Sequence, residues 1–237
     1  MLLSQRQETL LRFLQEKHFS TVKELAALVW ISESSVRRDL KVLEANGLIR
    51  QIYGGVVLTE YRNEVVPVRL RDAACSMVKD ELAKRAADYL FDGAVVMMDG
   101  SSTVRRILKY LKSDLRITII TNNQKIFDEC PNGNAVLYST GGQYLSHSGV
   151  FVGSAAEAYI RSVSADLLFF SSQALSWSGE ISDVSEAETS MRKAMLSRTE
   201  THIFLCDSSK LGQRKTFTLC TKDDVDVILC DQPLPWE

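Results

Sequence analysis

The chain has 237 residues and a formal net charge of −2, and 45% of its residues are hydrophobic. These values are ordinary for a soluble globular protein and leave room for a small domain joined to a medium one. A uniformly basic protein is excluded, so any contact with nucleic acid must come from a local patch. No apolar run reaches about 18 residues, and the first residues lack the organisation of a signal peptide. We therefore expect a cytoplasmic protein without membrane contact.

The cysteines form no Cys-x-x-Cys pair and no cluster with histidine. The sequence therefore predicts no metal site, and nothing in it points to a cofactor. We expect reduced thiols throughout, as in a reducing compartment. The cysteines are Cys75, Cys130, Cys206, Cys220 and Cys230.

Residues 1–58 show the periodicity of a winged helix-turn-helix domain. Thr21, with Glu24 three residues later, has the spacing of a capping box and predicts the start of the second helix. Asn46-Gly47 predicts the end of the third helix, because both residues tolerate the left-handed conformation. Gly54-Gly55 predicts a tight turn between two strands. The predicted helices are 4–17, 22–29 and 33–46, and the predicted strands are 48–53 and 56–58.

The third predicted helix carries a polar face suited to DNA. Helical spacing turns Val36, Leu40 and Leu43 towards a core, which leaves serines and basic residues on the opposite side. Arginine can hold a guanine edge with two hydrogen bonds, and hydroxyl groups can bind phosphate. The alternative is an ordinary solvated face, in which Asp39 pairs with an arginine. The candidate DNA-binding residues, including those of the wing, are Ser34, Ser35, Arg37, Arg38, Lys41, Arg50, Gly54 and Gly55.

Residues 59–78 are polar and irregular and predict a linker. In residues 79–237, helices alternate with apolar strands, which predicts an α/β domain with a mainly parallel sheet covered on both faces. The predicted strands are 94–98, 116–120, 135–138, 166–170, 203–206, 217–219 and 225–230. The predicted helices are 79–90, 102–111, 154–163 and 187–198.

Polar loops follow several of these strands. Asp99-Gly-Ser-Ser-Thr103 follows a buried strand and opens a helix, and open α/β sheets bind ligands at the carboxyl ends of their strands. Backbone amides and hydroxyl groups at such a position bind anions. Thr121-Asn122-Asn123 offers further donors, Asp99 would accept hydrogen bonds from ligand hydroxyls, and Lys210 would supply positive charge. Any one loop is explained as an ordinary strand-to-helix turn, whereas their recurrence favours a pocket.

Residues 3–57 resemble the DNA-binding domain of the DeoR family of bacterial regulators. The resemblance rests on an Arg-Arg-Asp-Leu element followed by a Gly-Gly wing. Ser35 stands where the family usually has threonine, and Tyr53 where it usually has histidine. The resemblance implies binding to double-stranded operator DNA. The matching residues are Arg6, 22–26, Ser32, 36–40, Leu43, Glu44, Gly47, Arg50, Gly54 and Gly55.

The resemblance continues through the second domain, which is similar to ribose-phosphate isomerases. In the family this domain senses a phosphorylated sugar or a related metabolite, and four of its loops match segments here. The resemblance implies an effector site made of Asp99, Gly100, Ser101, Ser102, Thr103, Thr121, Asn122, Asn123, Gly141, Gly142 and Lys210.

An isomerase fused to a DNA-binding module is the alternative in another functional class. The similar isomerases carry an Asp-Gly-Ala-Asp run where this chain reads Phe170-Ser-Ser-Gln173, and a glutamate where alignment places Arg192. Because the reaction needs a general base, we expect no catalytic residue and binding without turnover. We expect a homo-oligomer, dimer or tetramer, that represses carbohydrate-metabolism genes under control of the sugar phosphate. A ligand-dependent activator remains the alternative.

Overall fold

The computed structural model describes residues 4–17, 19–46, 48–52, 54–58, 76–131, 133 and 135–236. The chain divides into two compact units, residues 1–66 and 67–237. Gly47, at the predicted end of the third helix, and Tyr53, at the end of the first predicted strand, lie outside the described residues. So does most of the predicted linker 59–78. The last residues of that linker, 76–78, belong to the first helix of the second unit, which begins three residues earlier than predicted.

The first unit has three helices and a small sheet, as predicted. β3 is the central strand and pairs antiparallel with both β1 and β2. The strand β1 was not predicted, because two residues are too few to show a periodicity. The elements are α1 (Gln5–Lys17), β1 (Phe19–Ser20), α2 (Val22–Val29), α3 (Glu33–Ala45), β2 (Ile49–Ile52) and β3 (Gly55–Leu58).

Side-chain caps set the starts of α2 and α3. The predicted capping box is confirmed: the Thr21 hydroxyl accepts from the Glu24 amide at 3.1 Å, and the Glu24 carboxylate accepts from the Thr21 amide at 2.8 Å. Ser32 caps α3 by accepting from the amide of Ser35 at 3.3 Å. These bonds satisfy amides that the helices leave unpaired. The helices close over a core that includes Leu10, Leu14, Leu25, Val36, Leu40 and Leu43.

The second unit is built on a six-stranded sheet in the order β14-β12-β9-β4-β5-β6, in which every pair is parallel. Its strands are β4 (Val95–Met98), β5 (Ile117–Thr121), β6 (Ala135–Ser139), β9 (Ala165–Phe170), β12 (Thr199–Cys206) and β14 (Val227–Cys230). The helices are α4 (Ser76–Ala87), α5 (Ser102–Arg105), α6 (Gln124–Glu129), α7 (Ser154–Arg161) and α8 (Glu186–Leu196).

Helices cover both faces of this sheet, as the continuous apolar strands indicated. On one face, Leu82 and Ala86 of α4 pack with Val96 and Met98 of β4. On the other face, Met97 of β4 belongs to the cluster that holds α7 and α8. The alternation of neighbouring β4 residues between two cores is the period of two expected of a strand.

Three parts of the second unit differ from the prediction. The helix predicted over 102–111 is α5 followed by a 3₁₀ segment, Arg106–Tyr110. Phe217–Thr221 (β13) leaves the parallel sheet and pairs antiparallel with β11. Four short strands and α6 were not predicted, since segments of two to six residues show little periodicity. These strands are β7 (Gln143–Leu145), β8 (Val150–Val152), β10 (Ala174–Leu175) and β11 (Glu180–Asp183).

Within the described ranges, no helix has the length and apolar character needed to cross a membrane.

Candidate functional site

Helix α3 presents a continuous polar face to solvent. Ser34, Arg37, Arg38 and Lys41 are all exposed, and their spacing of three and four residues places them on one side of the helix. Ser35 is half-buried and accepts a hydrogen bond from Arg38 at 3.2 Å. The structure therefore brings together all five residues predicted for this helix.

Internal ion pairs leave the basic side chains of α3 available to an external partner. Arg37 lies 3.8 Å from Glu33, and both side chains are more than half exposed. An exposed pair of this kind contributes little and exchanges readily for another partner. The guanidinium groups of this face therefore remain accessible to phosphate oxygens and base edges.

Asp39 does pair with an arginine, but its partner is Arg6 of α1 and not Arg37 or Arg38. Arg6 donates two hydrogen bonds to the Asp39 carboxylate, at 2.5 and 2.9 Å. The hydrogen bond and the charge of Asp39 raise the pKa of Arg6. Since Asp39 is buried and Arg6 is half exposed, the pair ties α1 to the inner side of α3. The solvent face of α3 is thereby left to an external partner.

The predicted wing residues separate into two groups. Arg50 is half-buried on β2, and Gly54 is exposed with φ of 90°. Gly55 is buried, and a Cβ atom there would lie 2.3 Å from the Phe19 ring. This glycine is required by the close approach of β1 and does not belong to the exposed face. Gln51 is held by Glu44, which accepts from its amide at 2.7 Å and so joins β2 to α3.

The predicted effector loops meet at one edge of the large sheet. Residues 99–103 follow β4, 121–123 lie at the end of β5, 140–142 follow β6 and 207–210 follow β12. Because these strands are parallel, their carboxyl ends lie at the same edge. Hydrogen bonds join the loops there: the Asp99 amide donates to the Phe169 carbonyl at 3.1 Å, and the Thr121 hydroxyl to the Met98 carbonyl at 2.7 Å.

Asp99 orders the first loop from within the protein. Its side chain is buried, and its Oδ1 atom accepts from the Ser101 amide at 3.0 Å. Its Oδ2 atom accepts from the Ser171 amide at 3.3 Å and from Nε of Arg192 at 2.7 Å. Both oxygens therefore have partners in the protein, and the expected acceptance of ligand hydroxyls by Asp99 stays a prediction.

Arg192 is the centre of a buried charge cluster that the sequence did not reveal. It donates to Asp99, to Asp183 at 3.1 Å and to Glu188 at 3.2 Å, and all four side chains are less than 5% exposed. Burial alone would lower the pKa of Arg192, but the three carboxylates outweigh burial and raise it. Asp183 was missed because it lies on the short strand β11. The one available signal for Arg192 was the periodicity of α8, which puts this residue on the buried face of the helix.

Most polar groups of the second loop are committed to the backbone. Thr121 accepts from the Asn123 amide at 3.0 Å, and the Asn123 carbonyl oxygen Oδ1 accepts from the Lys125 amide at 3.1 Å. Asn122 differs: its Nδ2 donates to the Phe151 carbonyl at 2.9 Å, but its buried Oδ1 has no partner among the described residues. A Cβ atom on Gly100 would lie 3.7 Å from that Oδ1 atom, so the acceptor faces the first loop.

The other loop residues shape the backbone. The Ser101 hydroxyl accepts from the Val104 amide at 3.1 Å, and Ser102 and Thr103 are buried beside it at the start of α5. Gly141 and Gly142 both have positive φ, and a Cβ atom on Gly142 would lie 2.6 Å from the Val152 carbonyl oxygen. A glycine at position 142 lets the third loop pack against β8.

Two lysines lie near the carboxylate of Asp207, one from the fourth loop and one from α4. Lys210 donates to the Ser171 hydroxyl at 2.8 Å and lies 3.3 Å from the Asp207 carboxylate. Burial would raise the pKa of Asp207, but the charges of Lys210 and Lys79 and the bond from Ser209 lower it. Lys79 of α4 is itself buried and was not among the predicted site residues. Its position within the apolar pattern of α4 was the available signal.

The buried carboxylates are poorly suited to proton transfer. Asp99, Asp183 and Glu188 all accept from Arg192, and the loop after β9 contains Ser171 and Ser172 in place of acids. A general base needs a free lone pair within reach of the substrate proton. Asp99 and Asp183 accept hydrogen bonds at both oxygens, and Oε1 of Glu188, which has no partner among the described residues, belongs to a side chain that is only 4% exposed.

Family models match almost the whole chain. Residues 6–62 match the DeoR-like helix-turn-helix domain, and residues 75–232 match the DeoR C terminal sensor domain. The chain belongs to the DeoR family. It is therefore a DNA-binding transcriptional regulator and not an enzyme, as we predicted.

Relatives in the DeoR family are similar over nearly their full length. The HTH-type transcriptional regulator GolR of Listeria innocua is 27% identical over 97% of this chain and 91% of its own. The L-fucose operon activator of Haemophilus influenzae is 28% identical over 97% of this chain and 92% of its own. The transcriptional repressor AccR of Agrobacterium fabrum is 28% identical over 95% of this chain and 88% of its own.

The chain is also similar to solved structures. The delta subunit of eIF2B from Chaetomium thermophilum has a TM-score of 0.50 at 12% identity, covering 94% of this chain and 70% of its own. Ribose 5-phosphate isomerase A from Methanocaldococcus jannaschii has a TM-score of 0.43 at 15% identity, covering 57% and 54%. The predicted fold class, a helix-turn-helix domain followed by a parallel-sheet α/β domain, is confirmed.

Proposed function

We propose that the sheet edge of the second unit binds a phosphorylated sugar and that this ligand changes the affinity of α3 for operator DNA. The observation that carries the proposal is the buried Oδ1 atom of Asn122, which has no partner within the described residues and faces Gly100 of the first loop. An unsatisfied buried acceptor costs about 1–3 kcal/mol, and a ligand hydroxyl would satisfy it.

The composition of the site supports the choice of ligand. Lys79 and Lys210 supply positive charge for a phosphate, and hydroxyl groups and backbone amides of 101–103 lie at the neighbouring strand end. Oε1 of Glu188 is a second buried acceptor without a partner in the described residues. Cations beside unsatisfied acceptors suit a molecule that combines a phosphate with hydroxyl groups.

On DNA, two recognition helices of a homo-oligomer, dimer or tetramer, would read half-sites about 34 Å apart. The exposed residues of α3 would contact base edges, and Arg50 and Gly54 of the wing would contact the adjacent backbone. The regulator would act as a repressor of carbohydrate-metabolism genes, released when the sugar phosphate binds the DNA-free form more tightly. An activator is the second candidate, because the L-fucose operon activator is among the similar relatives.

Fluorescence anisotropy tests both halves of the proposal. The probes are DNA fragments from upstream of the protein's own and neighbouring genes, with and without a panel of sugar phosphates. We expect salt-sensitive binding to one fragment, altered by one sugar phosphate. A decrease in affinity indicates a repressor that is induced, an increase indicates ligand-dependent binding, and no response to any sugar phosphate contradicts the effector assignment.

Two pairs of variants assign the sites. Arg37→Ala should weaken specific binding at least about five-fold, the lower bound for a lost bidentate contact to a base. Arg12→Ala removes the same charge from an exposed position of α1 and should leave sequence preference intact. Unchanged operator affinity in Arg37→Ala would remove α3 from the interface.

Asn122→Ala and Ser102→Ala should abolish the ligand response while operator binding persists. Ser162→Ala is the matched control, since it removes a hydroxyl from an exposed turn after α7. A full response in Asn122→Ala would place the ligand elsewhere.

A further inference from the structure

Two cysteines lie side by side at the carboxyl ends of neighbouring strands. Cys206 is the last residue of β12, Cys230 is the last residue of β14, and the two are direct partners in the parallel register. Neighbouring strands are about 4.8 Å apart, which falls within the range of about 4.4–6.8 Å between the Cα atoms of disulfide-bonded cysteines. β14 is also an edge strand, and β12 is its one strand neighbour in the described sheet.

The two thiols differ chemically. The neighbouring Cys206 thiol lowers the pKa of Cys230 to about 7. The Cys230 sulfur and burial together raise the pKa of Cys206. The thiolate is the reactive form of cysteine, so Cys230 is the nucleophile of the pair and Cys206 stays protonated beside it.

The other described thiols are less reactive. Burial raises the pKa of Cys130, and burial followed by the charge of Asp224 raises that of Cys220 to about 12. Neither residue has a cysteine as its strand partner in the described part of the chain. Among the described cysteines, Cys206 and Cys230 are therefore the pair in which a thiol of lowered pKa lies beside a protonated thiol.

We propose that Cys206 and Cys230 form a reversible disulfide, with hydrogen peroxide as the oxidant. The Cys230 thiolate attacks one peroxide oxygen, the O–O bond breaks, and hydroxide leaves to give a sulfenic acid. The Cys206 sulfur then attacks the Cys230 sulfur, the S–O bond breaks, and the departing hydroxide takes the Cys206 proton to form water. The two sulfurs lose two electrons in total. The hydroxide released in the first step takes up the proton that Cys230 lost on ionisation, so one peroxide becomes two waters.

The disulfide would lie at the base of the fourth loop. Asp207 follows Cys206 directly, and Asp231 follows Cys230 and accepts from the Ser208 amide at 2.6 Å and its hydroxyl at 2.8 Å. Joining the two strand ends therefore constrains the segment that carries Lys210. The bond itself requires neither ligand nor DNA, so it is measured independently of the proposed effector.

Oxidation of the full chain, free of ligand and DNA, tests the proposal. The protein is treated with a small molar excess of hydrogen peroxide, alkylated with iodoacetamide under denaturing conditions, and digested with trypsin without reduction. We expect two of the five thiols to be lost, a peptide of Cys206 joined to a peptide of Cys230 in the mass spectrum, and full recovery with dithiothreitol.

Variants separate the steps. Cys206→Ser should stop at the sulfenic acid of Cys230, which dimedone traps, and should yield no cross-linked peptide. Cys220→Ser is the matched control and should cross-link as the natural chain does. If both thiols of the natural chain are alkylated after peroxide, or if Cys230 passes to the sulfinic acid while Cys206 stays free, the proposal is overturned. Because the natural chain gives this result alone, a variant that fails to fold does not obscure it.

Discussion

Trp30 occupies the turn between α2 and α3 in a conformation unusual for its type. Its φ is 55° and its side chain is 92% exposed, so the ring makes little contact that could offset the left-handed backbone. That conformation costs a residue other than glycine about 1–2 kcal/mol, and asparagine tolerates it best among the rest. The backbone strain at Trp30 is therefore not offset by contacts of its own side chain.

Trp30→Asn should raise the free energy of unfolding of the first unit by about 1 kcal/mol, because it relieves this strain. Urea denaturation followed by circular dichroism measures the change. Trp30→Ala is the control, since alanine removes the ring and keeps the backbone penalty. If both variants lose stability equally, the ring contributes to folding and the strain argument is wrong.

Arg192 holds the buried charge cluster of the second unit together. Its guanidinium pairs with three buried carboxylates, which come from the loop after β4, from β11 and from α8. Arg192→Met should lower the free energy of unfolding by about 3–5 kcal/mol, since removing one partner leaves buried charges uncompensated. Arg116→Met removes an exposed partner of Asp92 and should leave the free energy of unfolding nearly unchanged. Chemical denaturation of both variants makes the comparison, and a loss below 1 kcal/mol in Arg192→Met would contradict it.

At the scale of elements, the orientation of α3 depends on its contact with α1. The Arg6–Asp39 pair is the polar part of this contact, and hydrophobic packing of Leu14 and Leu40 is the rest. From the sequence, the alternative to a DNA-binding face was that Asp39 pairs with an arginine, and the sequence did not indicate which one. The fold supplies a partner 33 residues away.

Asp39→Asn should destabilise the first unit by about 1–2 kcal/mol, because it weakens two charge-assisted hydrogen bonds that are partly exposed to solvent. Operator affinity should fall as well, since α3 loses an anchor on its inner side. Glu33→Gln changes an exposed acid of the same helix and should not reduce either quantity. Urea denaturation and anisotropy report the two effects. Equal behaviour of the two variants would show that the pair does not position α3.

At the scale of the whole molecule, the proposed effector links binding to stability. A ligand at 100 times its dissociation constant, bound only to the folded state, raises the free energy of unfolding by about 2.7 kcal/mol. We expect the active sugar phosphate to stabilise the second unit by this amount in scanning calorimetry, and Asn122→Ala to remove the effect. Stabilisation of the first unit in place of the second would contradict the location of the site.

The elements of both units followed from local patterns. Hydrophobic periodicity indicated the three helices of residues 1–58 and the strands of the parallel sheet, and the Thr21 capping box indicated where α2 begins. The polar loops after β4, β5 and β12 were also visible, because each interrupts an apolar pattern. Short strands such as β7 and β11 were not predicted. Their strand conformation depends on pairing with a neighbouring strand and not on a local pattern.

The order of the elements and the sheet edge at which the polar loops meet follow from local patterns in the chain, because both depend on periods of a few residues. Which polar groups remain free at that edge depends on tertiary contacts. Asp99 pairs with Arg192, 93 residues later, whereas the neighbouring Asn122 keeps an acceptor that has no partner in the described part of the chain. The same holds for Cys206 and Cys230, which the register of β12 and β14 places together. Contacts between residues far apart in the chain arise from packing, and packing leaves no periodic signal in the sequence.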